Sequence, residues 1–89
     1  MFSKNLDTDQ GLILAEKQES RLNAAIHMLF MNFDITVLWL DKHQVVVDKV
    51  LAKKWRPIYI PQKPAQYVVE LHHKQIDNFA VGDKLIFAS

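Results

Sequence analysis

Cysteine is absent from the 89-residue chain, which excludes disulfides, thiolate zinc sites, iron–sulfur clusters and a cysteine nucleophile. Glycine occurs only at Gly11 and Gly82, and serine only at Ser3, Ser20 and Ser89. With no serine near a glycine, the chain offers no nucleophile elbow. Charge of one sign is also lacking. Eleven Lys and Arg against ten Asp and Glu leave a formal charge of +1, so no global field draws the chain to nucleic acid, an anionic membrane or an acidic substrate. The longest mainly apolar stretch, Ala24 to Leu40, is broken by His27, Asn32 and Asp34. It is too short and too polar to cross a bilayer as a helix, and no membrane association is expected. The opening MFSKNLDTDQ is polar and carries two aspartates, with no basic segment leading into an apolar run. The expected location is therefore the cytoplasm.

The composition, 49% apolar and 24% charged, excludes intrinsic disorder and collagen-like repeats. At 10.4 kDa one domain fits, and a chain of this size buries roughly 60–65% of its extended surface. Residues 1–10 read as a polar N-terminal segment and residues 11–89 as the domain.

Local signals divide that domain. GLILAEK, Gly11 to Lys17, reads as a strand leaving a turn. ITVLWL and VVV flank the polar connector Asp41-Lys42-His43-Gln44, a hairpin signal. Val45 to Val50 alternates poorly, which suggests a strand covered on both faces or a twisted central one. In KKWRPIYIPQKP, Pro57, Pro61 and Pro64 fall within eight residues. Each removes a backbone donor and favours extended backbone before it, giving a long ordered loop held by Trp55, Ile58 and Tyr59. QYVVEL is a strand by its β-branched and aromatic content. His73 to Phe79 makes a single helical turn, Val81-Gly82-Asp83 a turn, and KLIF a last strand. Between Leu22 and Phe33, the apolar positions 22, 25, 26, 29, 30 and 33 follow helical spacing with Ser20 as cap, whereas Ile26, Met28 and Phe30 alternate. Periodicity leaves both readings open.

The run AIHMLFMNFDITVLWLD, then KKWRP, PAQYVVEL and VGDKLIF, in that order, resembles the domain of unknown function 192 family, also called uncharacterised ACR. The matching positions are Gly11-Leu12-Ile13, Ile26-His27 through Met31, Asp34-Ile35 through Leu40-Asp41, Trp55-Arg56-Pro57, Val69-Glu70-Leu71 and Gly82-Asp83. The resemblance runs from about Gly11 to the end. It implies an all-β fold, a compact antiparallel sandwich or barrel-like domain with at most one short helix, in which Ile26 to Met31 is strand. The chain departs from the family pattern twice. Only ten residues precede Gly11, so an open sheet edge is expected, and with it a homodimer formed through that edge. His72-His73-Lys74 replaces the family's glycine turn after Glu-Leu.

Four chemistries compete. His27, Met28 and Met31 with His43, His72 and His73 carry soft and imidazole ligands suited to copper or zinc. On an extended strand, however, His27 and Met28 face opposite sides, and no H-x-H or H-E-x-x-H spacing exists. No metal and no cofactor is expected. For acid–base work the carboxylates are Asp34, Asp41, Asp48, Glu70 and Asp83, with His27 beside Asp34 or Asp41 as the centre of a small hydrolase. Backbone hydrogen bonding at turns explains the same aspartates, Asp83 most directly. Lys49, Lys53, Lys54, Arg56 and Lys63, interleaved with Trp55 and Tyr59, form a basic aromatic loop over 49–63 of the kind that binds single strands. The net charge argues against nucleic acid as partner. The fourth chemistry is the one expected: a non-enzymatic module that binds a small ligand or a protein, with no catalytic residues, in a groove lined by His27, Trp55, Tyr59 and Trp39.

Overall fold

The computed structural model describes residues 3–6, 11–20, 33–54 and 58–87. His27 and Trp55 lie outside these residues, as does most of the ambiguous stretch from Leu22 to Phe33. The described residues form six strands and one 3-10 helix: β1 Ser3–Leu6, β2 Gly11–Ser20, β3 Ile35–Leu40, β4 Val46–Ala52, β5 Ala65–His72, a 3-10 helix His73–Asn78, and β6 Lys84–Phe87. No helix of the described residues is long and apolar enough to cross a membrane. The radius of gyration is 12.0 Å, matching about 12 Å for a compact chain of this length.

β2, β5, β3 and β4 form one antiparallel sheet in that order. β3 is central, and all six of its residues are buried, which is why ITVLWL carries almost no polar positions. Its two faces feed two apolar layers. Ile35, Val37 and Trp39 meet Ala52, Ala65 and Val68 on one side, with Val47, Val50 and Tyr59 packed against them. Leu38 and Leu40 meet Val46, Val69, Leu71, Phe79 and Leu85 on the other. The second face is roofed by the helix end and by β6, which pairs in parallel with β1 as a two-stranded ribbon. The first ten residues, expected as a polar segment ahead of the domain, thus include a strand in register with the last.

β4 departs from its expected place as a covered strand. It lies at the outside of the four-stranded sheet, and its interior residues are half-buried. The run of three valines has a different cause. Trp39 pairs with Asp48 and Leu40 with Val46, so Val47 is the extra residue of a bulge. That bulge sends Val46 and Val47 into opposite apolar layers.

The turns follow their sequence signals. Asp41 Oδ1 accepts the amides of His43 at 2.8 Å and Val45 at 3.1 Å, closing the β3–β4 hairpin. Gln44 in that loop takes φ 65°, the left-handed region. Asp83 Oδ2 accepts the Ala80 amide at 2.9 Å, and Gly82 supplies φ 98°, which only glycine adopts cheaply.

Candidate functional site

The chemistry gathers where β5 ends and β3 begins. Register places Leu12 opposite Glu70 and Ile35 opposite His72. Because side chains alternate along strands, these four project from one face. A cleft of about 510 Å³ opens there, with Leu12, Ile35, Glu70 and His72 among its walls and Phe33, Asp34 and His73 at its mouth. Its volume is within the range of roughly 300–1,000 Å³ usual for ligand sites. Leu12 is 54% and Phe33 60% exposed, so its apolar walls face solvent. At Gly11 a β-carbon would run into the Glu70 carbonyl oxygen, so glycine is what lets β2 lie this close beside β5 at the cleft edge. A second hollow of about 240 Å³ shares Phe33, Asp34 and His73 and adds Lys54.

Two carboxyl groups line the cleft in opposite electrostatic settings. The Lys54 amide donates to Asp34 Oδ1 at 2.8 Å and the Lys53 ammonium lies 3.5 Å from Oδ2. Together they hold the Asp34 carboxyl below its ordinary value. Glu70 is half-buried, and burial alone pushes its carboxyl up, because the ionised form loses water it does not replace. No donor among the described residues reaches it.

The two imidazoles are set by the corner where β5 ends and the 3-10 helix begins. The strand stops at His72, His73 opens the 3-10 helix, and their ring centroids lie 4.3 Å apart. His72 Nδ1 accepts the Lys74 amide at 3.2 Å, capping the helix. The buried Thr36 hydroxyl donates to the His73 carbonyl at 3.2 Å, tying the corner to β3.

The aromatic residues expected to line a groove are placed elsewhere. Trp39 is 1% exposed and sits inside the first apolar layer. Tyr59 packs against that layer while its hydroxyl accepts the Lys53 amide at 2.8 Å. Neither lines the cleft. Among the described residues, no three His, Asp or Glu side chains come together as a metal site requires. Asp34 and Asp41 flank the two ends of β3, a separation of about 23 Å for seven residue steps, so they cannot serve one reaction centre. Asp48 is occupied by backbone, accepting the Lys49 amide at 2.9 Å and the Gln62 amide at 2.9 Å. The basic loop is partly committed as well. Lys49 Nζ donates to the carbonyls of Ile76 at 2.8 Å and Phe79 at 2.9 Å.

Sequence reasoning named Glu70, His72 and His73 separately but did not bring them together, and it missed Leu12 and Phe33. The available signal was an acid and an imidazole two apart, hence on one face, at the end of the otherwise apolar QYVVELH.

A four-stranded antiparallel sheet with a parallel two-stranded roof and an open-ended cleft at its edge defines a small all-β domain. The chain belongs to the domain of unknown function 192 family, described as uncharacterised ACR, whose model matches residues 1–87. It is similar to UPF0127 proteins of archaea. It is 49% identical over 70 residues to one from Thermococcus kodakarensis, covering 79% of this chain and 43% of that protein. It is 41% identical over 76 residues to one from Pyrococcus furiosus, covering 83% and 65%. It is 38% identical over 81 residues to one from Thermococcus sibiricus, covering 89% and 52%. The chain spans about half the length of the curated relatives it matches. No solved structure matches it at a significant level.

Proposed function

We propose that this domain is a binding module whose ligand site is the cleft beside Glu70, and that it takes a small molecule with an apolar body. The observation that carries the reading is a half-buried carboxyl with no donor from the described residues, set beside the buried Ile35 and the solvent-facing Leu12 and Phe33. Such a surface is costly in water: apolar walls stay wet and a polar group stays partly desolvated. A ligand relieves both. Glu70 and His72 are the polar anchors, and Asp34 is held away by its own backbone and lysine contacts. A methyl-resolved NMR titration with a library of small apolar fragments tests the reading. Leu12 and Ile35 methyl signals should move first. Shifts confined to Tyr59 and the residues around it, with Leu12 and Ile35 unmoved, would return the site to the aromatic loop and refute this placement.

A second reading is acid–base hydrolysis. It is favoured by one observation, that Asp34 and Glu70 line the same cleft with carboxyl groups pushed in opposite directions, the arrangement that separates a base from an acid. Turnover of an activated ester by the purified domain, lost in Glu70→Gln, would establish it. Unchanged background hydrolysis would dismiss it.

A further inference from the structure

Resting on the binding-module reading, we infer that the cleft recognises a carboxamide: Glu70 accepts the amide N–H while His72 donates to the amide oxygen. The two anchors differ in hydrogen-bonding sense, and the structure fixes which is which. His72 Nδ1 is taken by the Lys74 amide, so the proton of the neutral ring sits on Nε2, which is a donor. The Glu70 carboxylate is an acceptor with no donor from the described residues. One donor and one acceptor therefore flank the same opening.

Their spacing suits one amide group. Residues two apart on a strand have their Cα atoms about 7 Å apart, and side chains leaving one face start from that spacing. An amide places its nitrogen and oxygen about 2.2 Å apart with N–H and C=O pointing in opposite directions. Two hydrogen bonds of about 2.9 Å added to that group span roughly 7–8 Å. Leu12, Ile35 and Phe33 then receive the aliphatic or aromatic body of the ligand.

Close analogues fit less well. A carboxylate in place of the amide sets an anion against Glu70. An amine satisfies Glu70 but leaves the His72 Nε2–H without an acceptor. Each mismatch leaves a desolvated group unpaired, worth about tenfold in affinity. The amide can belong to a free carboxamide or to a peptide bond.

The experiment compares isocaproamide, isocaproate and isohexylamine, which share one branched aliphatic body, and N-acetyl-leucine N-methylamide as the peptide form. Each is titrated into the unaltered chain at neutral pH and followed by NMR. Isocaproamide is expected to bind about tenfold tighter than the acid and the amine, with the His72 Nε2 signal moving together with the Leu12 methyls. Tighter binding of the N-methylamide identifies a peptide bond as the source; its exclusion identifies a free carboxamide. Equal affinities, or a preference for the acid or the amine, overturn the inference while leaving the binding site in place. If no probe moves the Leu12 or Ile35 signals, the binding-module reading falls with it. Glu70→Leu and His72→Phe should each bring the three affinities within about twofold to threefold of one another, and an undiminished amide preference in both refutes the assignment. The probe comparison on the unaltered chain decides the matter even if either variant fails to fold.

Discussion

Replacing Trp39 by alanine tests the construction of the sheet directly. The indole is 1% exposed and packs with Ile35, Val37, Ala52, Ala65 and Val68. Two of those neighbours are alanines, which lack the side-chain length to swing into the vacated space. A fully buried tryptophan removes about 200 Å² from water, and at about 25 cal/mol per Å² this gives about 5 kcal/mol. A compact unfolded state already hides part of that area, which lowers the figure. The expected loss is about 3–5 kcal/mol. A chain of this length has roughly 4–13 kcal/mol in total, so the variant should be marginal or unfolded. Urea titration followed by far-ultraviolet circular dichroism is the assay, since it does not depend on the lost fluorophore. With a slope near 1.5 kcal/mol per molar, a 4 kcal/mol loss moves the midpoint by about 2–3 M. A folded variant with an unchanged slope and a loss below about 1 kcal/mol would refute the placement of Trp39 in a rigid apolar layer.

Two further outcomes follow from single contacts. Glu70 has its carboxyl raised by burial, so the folded chain holds that proton at pH values where the unfolded chain, with a pKa near 4.3, has released it. Its contribution to stability therefore falls as pH rises from about 4 through the folded value. Asp34, His72 and His73 border the same cleft, so the Glu70→Gln difference is what isolates this group. The variant should gain on the parent as pH rises from about 4 to 8, and parallel stability curves would show that Glu70 is fully solvated. Lys49→Met keeps the aliphatic stem but removes both hydrogen bonds to the Ile76 and Phe79 carbonyls. It should cost about 1.5–3 kcal/mol and raise amide hydrogen exchange first over residues 73–79. Exchange that rises evenly across the sheet would contradict a local tethering role.

Much of the local structure was legible in the residues themselves. The hairpin around Asp41, the turn at Gly82 and Asp83, and the helical turn after His73 follow from interactions between residues only a few positions apart. β3 was readable because burial on both faces demands an unbroken apolar run such as ITVLWL, and β5 through the β-branched and aromatic content of QYVVEL. The all-β class came from the resemblance together with those runs. Single positions misled where the partner was distant. The Val45-Val46-Val47 run read as a covered strand because its bulge depends on the register against Trp39 and Leu40. Lys49 read as part of a basic loop because the carbonyls it binds lie 27 and 30 residues further along.

The sequence alone therefore determined where the strands from β2 onward and their turns form, since backbone preference and apolar alternation act over a few residues, whereas β1 is a strand only through its pairing with β6. Tertiary structure alone decided what meets what. Leu12, Ile35 and Glu70 come from three different strands, and only the pairing register brings them to one face with His72. That register is set by the fit of two whole apolar layers rather than by any short segment, so neither the cleft nor its unanswered carboxyl is written in a motif.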